Sequence, residues 1–194
     1  MLQYLVFVGA LATSIGAIAY IRGTLAGLTK PNKITWLMWS IAPLIAFSAG
    51  LSDGVGWAVL PVFTAGFFPL VIFLVSFINP SAYWKLQVSD YICGFFSVLA
   101  LILWAVTKNP NIAIALAIIS DGFAGAPTLI KAWQYPETES GLLYLASIFS
   151  ALTGLLAVKN WMFSEYAFNV YLVSMGILLT VAVYRKKFFK KVSL

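Results

Sequence analysis

Asp121 lies midway along an apolar run, in AIISDGFAGAP, far in sequence from any charged neighbour. A carboxylate at the centre of a membrane-spanning helix costs about 2.5–3.5 kcal/mol on insertion scales, so it must face protein or a wet cavity, not lipid. Two chemistries suit such a group. It takes up and releases protons, or it stays neutral and hydrogen-bonds a neighbouring helix as structural glue. Trp36 and Trp39 stand three apart on an earlier run and share a face with Pro43. Apolar walls with a few polar groups are how sites for small solutes are built, and stacked aromatics would grip a ring. Trp39 lies deeper; Trp36, beside Lys33, serves equally as an interfacial anchor. Pro43, Pro61, Pro69 and Pro127 fall inside apolar runs. A proline there removes a helix hydrogen bond and can kink the helix. Pro127, Pro43 and Pro61 are therefore candidate hinges, although membrane helices tolerate proline in general. The chain has no His and one Cys, Cys93, which reads as a small apolar filler. Disulfides and His/Cys metal sites are excluded by that count. No second acid stands near Asp121, which leaves little for acid–base or nucleophilic work. Neither an enzyme nor a metal or cofactor is expected.

The elements that hold these residues follow from composition. Of 194 residues, 62% are hydrophobic and 9% charged, with a mean hydropathy of +0.96. A soluble domain has about 25% charged residues, so this chain could not cover its own surface in water. Charged and turn residues divide it into seven apolar runs, at 2–21, 34–52, 54–78, 91–107, 111–130, 141–158 and 166–184. Each approaches the ~20 residues needed to cross a bilayer core of ~30 Å. The first is too long for the apolar part of a signal peptide and has no basic stretch before it, so it reads as a retained span. All must be helices, because open strand edges cannot be satisfied in lipid. The short links carry turn chemistry, such as Asp53 in SDG and Asp90 at the start of the fourth run, which reads as an N-cap.

Basic residues set the orientation. Lys108 and Lys159 lie on one side; Arg22, Lys30, Lys33, Lys85, Lys131, Arg185, Lys186, Lys187, Lys190 and Lys191 lie on the other. That asymmetry predicts an N-terminus outside and a C-terminus in the cytoplasm, and an integral protein of a bacterial plasma membrane. It also accounts for the +6 net charge and the RKKFFKK tail, which touches anionic lipid; no nucleic-acid partner is needed. Tyr83, Trp84, Trp104, Trp133, Tyr135 and Trp161 fall at span ends, where interfacial aromatics belong. A homo-oligomer is compatible with the sequence.

An internal repeat organises the spans. At an offset of about 105 residues with one gap, Thr24-Leu25 falls on Thr128-Leu129, Pro31 on Pro136, Thr35 on Ser140 and Trp39 on Tyr144. The shift carries runs one to three onto five to seven and leaves the fourth as a connector. The expected architecture is an all-α polytopic membrane protein of two parallel three-helix repeats, residues 1–80 and 111–194, joined by a linker helix within 81–110 (3+1+3). Repeat-built carriers place their site at the repeat interface near the bilayer midplane, so Tyr144 joins Trp39 as a candidate.

The stretch Gly125-Ala126-Pro127-Thr128-Leu129-Ile130-Lys131, followed by Ser140-Gly141-Leu142, resembles a PQ-loop, with Thr128 where the motif has Gln. With seven helices as 3+1+3, the chain resembles the SWEET and PQ-loop transporters and the nicotinamide riboside carriers. The resemblance implies alternating access and kink prolines. It also implies a proton-binding acid near the motif, here Asp121, and a substrate-binding Asn on the seventh helix, here Asn169. Thr64 on the third span is the repeat counterpart of Asn169. The expected function is a carrier of a small polar solute (sugar, nucleoside or amino-acid-like). A seven-helix receptor or sensor is the alternative, though not a retinal protein, since the seventh span has no Lys between Tyr166 and Tyr184.

Overall fold

A computed structural model describes residues 2–82, 84–107 and 109–189. Tyr83, Lys108, Lys190 and Lys191 lie outside the described residues, as do the side chains of Trp104 and Lys187. The described residues form seven α-helices and no strand: α1 (Leu5–Leu25), α2 (Lys33–Ser52), α3 (Leu60–Val75), α4 (Val88–Val106), α5 (Pro110–Gln134), α6 (Gly141–Leu156) and α7 (Phe163–Phe189). Among the described residues, five helical stretches are long and apolar enough to cross a membrane: Leu5–Leu25, Lys33–Ser52, Trp57–Val75, Pro110–Gln134 and Phe163–Lys186. α6 is apolar but has 16 residues, about 24 Å at 1.5 Å per residue. Large apolar side chains such as Leu11, Ile15, Phe95 and Ile102 point outward. An apolar surface of this kind is what lipid would cover, and the chain has the make-up of an integral membrane protein.

Local chemistry sets the helix ends. Asn32 and Asn109 cap α2 and α5: each side-chain oxygen accepts from the two backbone N–H groups two and three residues on, Ile34 and Thr35 in one case, Asn111 and Ile112 in the other. Asp90 sits in the first turn of α4 and accepts from the Gln87 N–H at 2.6 Å. It reaches back to the helix start and does not itself hold the cap position. Past Asp53, the chain turns through Gly54 at φ +77°, a left-handed conformation that costs glycine nothing.

Two expectations are corrected. α3 begins at Leu60, after a 3-10 turn over Trp57–Val59. Pro61 therefore lies in the first turn, where its missing N–H would have had no partner; it is not an interior kink. Pro43, Pro69 and Pro127 do lie inside helices. α5 also continues four residues beyond its expected end, to Gln134. That takes Lys131 out of the expected basic link and buries it in the last turn, 2% exposed.

The packing order has a regular form. α3 lies against both α1 and α2, and α7 lies against both α5 and α6; α1 packs on α6 and α2 on α5, while α4 lies on α5. Small residues permit the close contacts. Gly9, Thr13, Gly16 and Ala17 line the buried face of α1, and Ala113, Ala117, Ser120, Ala124 and Gly125 that of α5, at the three- and four-residue spacing that lets membrane helices approach.

Candidate functional site

A cavity of about 70 Å³ lies among the helices, and six of the seven contribute walls. Thr13 comes from α1; Trp36, Trp39 and Pro43 from α2; Thr64, Phe68 and Pro69 from α3; Asp121 from α5; Tyr144 and Ser147 from α6; and Met175 and Leu179 from α7. Among the described residues, α4 contributes none of the lining. Sequence-predicted Asp121, Trp36, Trp39, Tyr144, Thr64 and Pro43 are thus brought together, from helices far apart in sequence. A water needs at least ~10–15 Å³ measured this way, so the space holds a few heavy atoms.

Asp121 is 3% exposed. Its Oδ2 accepts from the Tyr171 hydroxyl at 2.7 Å, and its Oδ1 has no hydrogen-bond partner among the described residues. The backbone around it is engaged as well: Trp39 Nε1 donates to the Asp121 carbonyl at 3.2 Å. The Thr35 hydroxyl donates to the Ala124 carbonyl at 2.7 Å and accepts from Thr128 at 2.9 Å. Pro127 removes the N–H that would otherwise bond in this stretch of α5, and Thr35 supplies a donor one residue away, to Ala124. The Trp36 ring meets Trp39 edge-on at 5.4 Å and Tyr20 at 4.7 Å.

Beyond Tyr144 lies a second polar cluster that sequence reasoning missed. Glu139 Oε1 pairs with Lys131 Nζ at 2.5 Å. Glu139 Oε2 accepts from the hydroxyls of Tyr144 at 2.6 Å and Tyr20 at 3.0 Å. Lys131 Nζ also donates to the Lys30 carbonyl and sits 4.9 Å from the Trp84 ring centre. Both charged side chains are almost wholly enclosed. The cluster ties α1, α5 and α6 to the loop before α2, where Lys30 N–H also donates to the Thr138 carbonyl at 3.0 Å. The available signal was the spacing of Lys131 and Glu139, eight positions apart on either side of Pro136. In a link outside the lipid, such a pair is ordinarily a solvated one.

Asn169 is buried, 1% exposed, but is not among the residues that line the cavity. Its Nδ2 donates to the Ala58 carbonyl at 3.0 Å, and its Oδ1 has no partner among the described residues. It fastens α7 to the 3-10 turn before α3, near Pro61 and Gly154. Asn169→Ala should therefore act on stability and leave ligand binding in the cavity unchanged. Stranding a buried carbonyl costs about 1–3 kcal/mol, which a detergent melting curve would register as a lower Tm. A loss of binding at unchanged Tm would return Asn169 to the site. Comparison of the chain with protein-family models, with curated proteins and with solved structures finds no match.

Proposed function

We propose that the chain is a membrane carrier of a small polar solute, working by alternating access around the central cavity. The observation that carries this reading is the cavity itself: six helices wall it, and the Asp121 carboxylate stands among the lining residues. A mid-span acid is costly in lipid and is retained where a solute, an ion or a proton uses it. Asp121 is the acid through which protons would couple to transport.

The packing order supports a 3+1+3 architecture. Exchanging α1, α2 and α3 for α5, α6 and α7 turns the α1–α3 contact into α5–α7, α2–α3 into α6–α7, and α1–α6 into α5–α2, each of which exists. α4 has no counterpart under this exchange, as a linker helix would not. Two halves related in this way can rock about a site between them. With the N-terminus outside, the Glu139 cluster closes the cytoplasmic end, since Tyr144 both lines the cavity and donates to Glu139. Interior Pro43, Pro69 and Pro127 are the bending points.

The test uses Ser147, a lining residue. In a Cys93→Ala background, Ser147→Cys in oriented liposomes should react with a membrane-impermeant thiol reagent from either face. Reaction from one face only would fit a receptor pocket, and reaction from neither would fit a sealed structural core. Both results would overturn the carrier reading.

A further inference from the structure

We infer that the cavity takes a small protonated amine that carries no anionic group. This rests on the carrier reading of the same cavity and names its solute class. The argument is an inventory of donors and acceptors. Around the cavity, most polar hydrogens are already given away inside the protein. Thr13 Oγ1 donates to the Gly9 carbonyl at 3.1 Å and Thr64 Oγ1 to the Pro61 carbonyl at 2.9 Å. Trp39 Nε1 donates to the Asp121 carbonyl, and the Tyr144 hydroxyl to Glu139. Ser147 and the buried Trp36 indole are the remaining lining donors. On the accepting side stands a carboxylate oxygen, Asp121 Oδ1, buried and without a hydrogen-bond partner.

No Lys or Arg is among the lining residues, so an incoming carboxylate or phosphate would be desolvated with nothing to neutralise it. An ammonium brings both what the unpaired oxygen lacks, N–H donors and a compensating charge, and charge-assisted hydrogen bonds are the stronger kind. The other walls suit the same ligand. Trp36, Trp39, Phe68 and Tyr144 all line the space, and aromatic rings attract cations that have shed their water. A volume of about 70 Å³ admits a body of roughly three or four heavy atoms beyond a bound water's share. Zwitterions, amino acids included, would leave their own carboxylate without a counter-charge here. Quaternary ammonium ions have no N–H to give Oδ1.

Four small probes of similar size separate these classes: propylammonium, tetramethylammonium, propionate and β-alanine, each added at equal millimolar concentration to the detergent-purified full chain. A ligand that binds the folded state raises its melting temperature. Propylammonium should raise Tm in a concentration-dependent way, the other three should not, and Asp121→Asn should lose the shift. Because the four probes are compared on the native chain, the result stands even if Asp121→Asn melts too low to use. An equal shift with propionate or tetramethylammonium, no shift with propylammonium, or a shift that survives in folded Asp121→Asn would each overturn the inference. The carrier reading fails separately, in the Ser147→Cys experiment: two-faced labelling with no propylammonium shift would leave the carrier standing and remove only its solute class.

Discussion

Glu139→Gln should lower the melting temperature of the purified chain by on the order of 10 °C. The carboxylate is enclosed and has three donors on it: Lys131 Nζ, the Tyr20 hydroxyl and the Tyr144 hydroxyl. Gln keeps the shape but turns an –NH2 toward Lys131 or toward the tyrosines, and it leaves the lysine cation without a counter-ion. Breaking a buried pair from one side costs about 3–5 kcal/mol, because the remaining charge is stranded, whereas removing both partners costs far less. Lys131→Met with Glu139→Gln should therefore melt higher than Glu139→Gln alone, and a double-mutant cycle over the pair should show strong coupling. Strict additivity would mean that the two charges are not paired in the folded protein. Under the proposed carrier reading the same weakening should open the end that the Glu139 cluster closes, so Ser147→Cys should label faster from that face in Tyr20→Phe, which removes one hydroxyl from the Glu139 carboxylate and leaves the ion pair.

Gly16→Leu should be strongly destabilising. A Cβ at Gly16 would lie 2.9 Å from the Leu143 Cα and 3.1 Å from the Ala146 Cβ, both on α6. The nearer of these is backbone and cannot swing aside, so α1 and α6 must separate along their contact. Even Gly16→Ala should cost about 1–3 kcal/mol, the usual range for overpacking, and Leu more. Gly122→Ala is the matched control: its Cβ would meet nothing nearer than the Tyr171 ring at 4.0 Å. That substitution should be neutral or stabilise by about 0.4–1 kcal/mol through the unfolded chain. Melting curves that rank Gly122→Ala below Gly16→Ala would contradict the packing of α1 on α6.

Seven apolar runs divided by turn residues were legible as seven helices because lipid leaves the backbone no other way to satisfy itself. The caps at Asn32 and Asn109 belong to the same class of local fact, since an Asx side chain bonds backbone within three residues of itself. Asp121 stood out in the sequence for an equally direct reason: a charge in an apolar run has to be buried against something. Trp36, Trp39, Tyr144 and Thr64, singled out in the sequence by spacing and by the expected repeat, line the same cavity as Asp121.

Partners across the fold were decided by tertiary packing. Glu139 is singled out only when Tyr20, Lys131 and Tyr144 are placed around it from three helices. Asn169 reads as a ligand by resemblance to a carrier family, yet its amide is spent on the Ala58 carbonyl, a contact between residues over a hundred positions apart. Pro61 changes from hinge to first-turn residue through a shift of a few residues in where α3 begins. Periodicity along one helix states which face is buried, while the neighbour that buries it depends on how all seven helices cross, and that is settled only when the whole set packs at once.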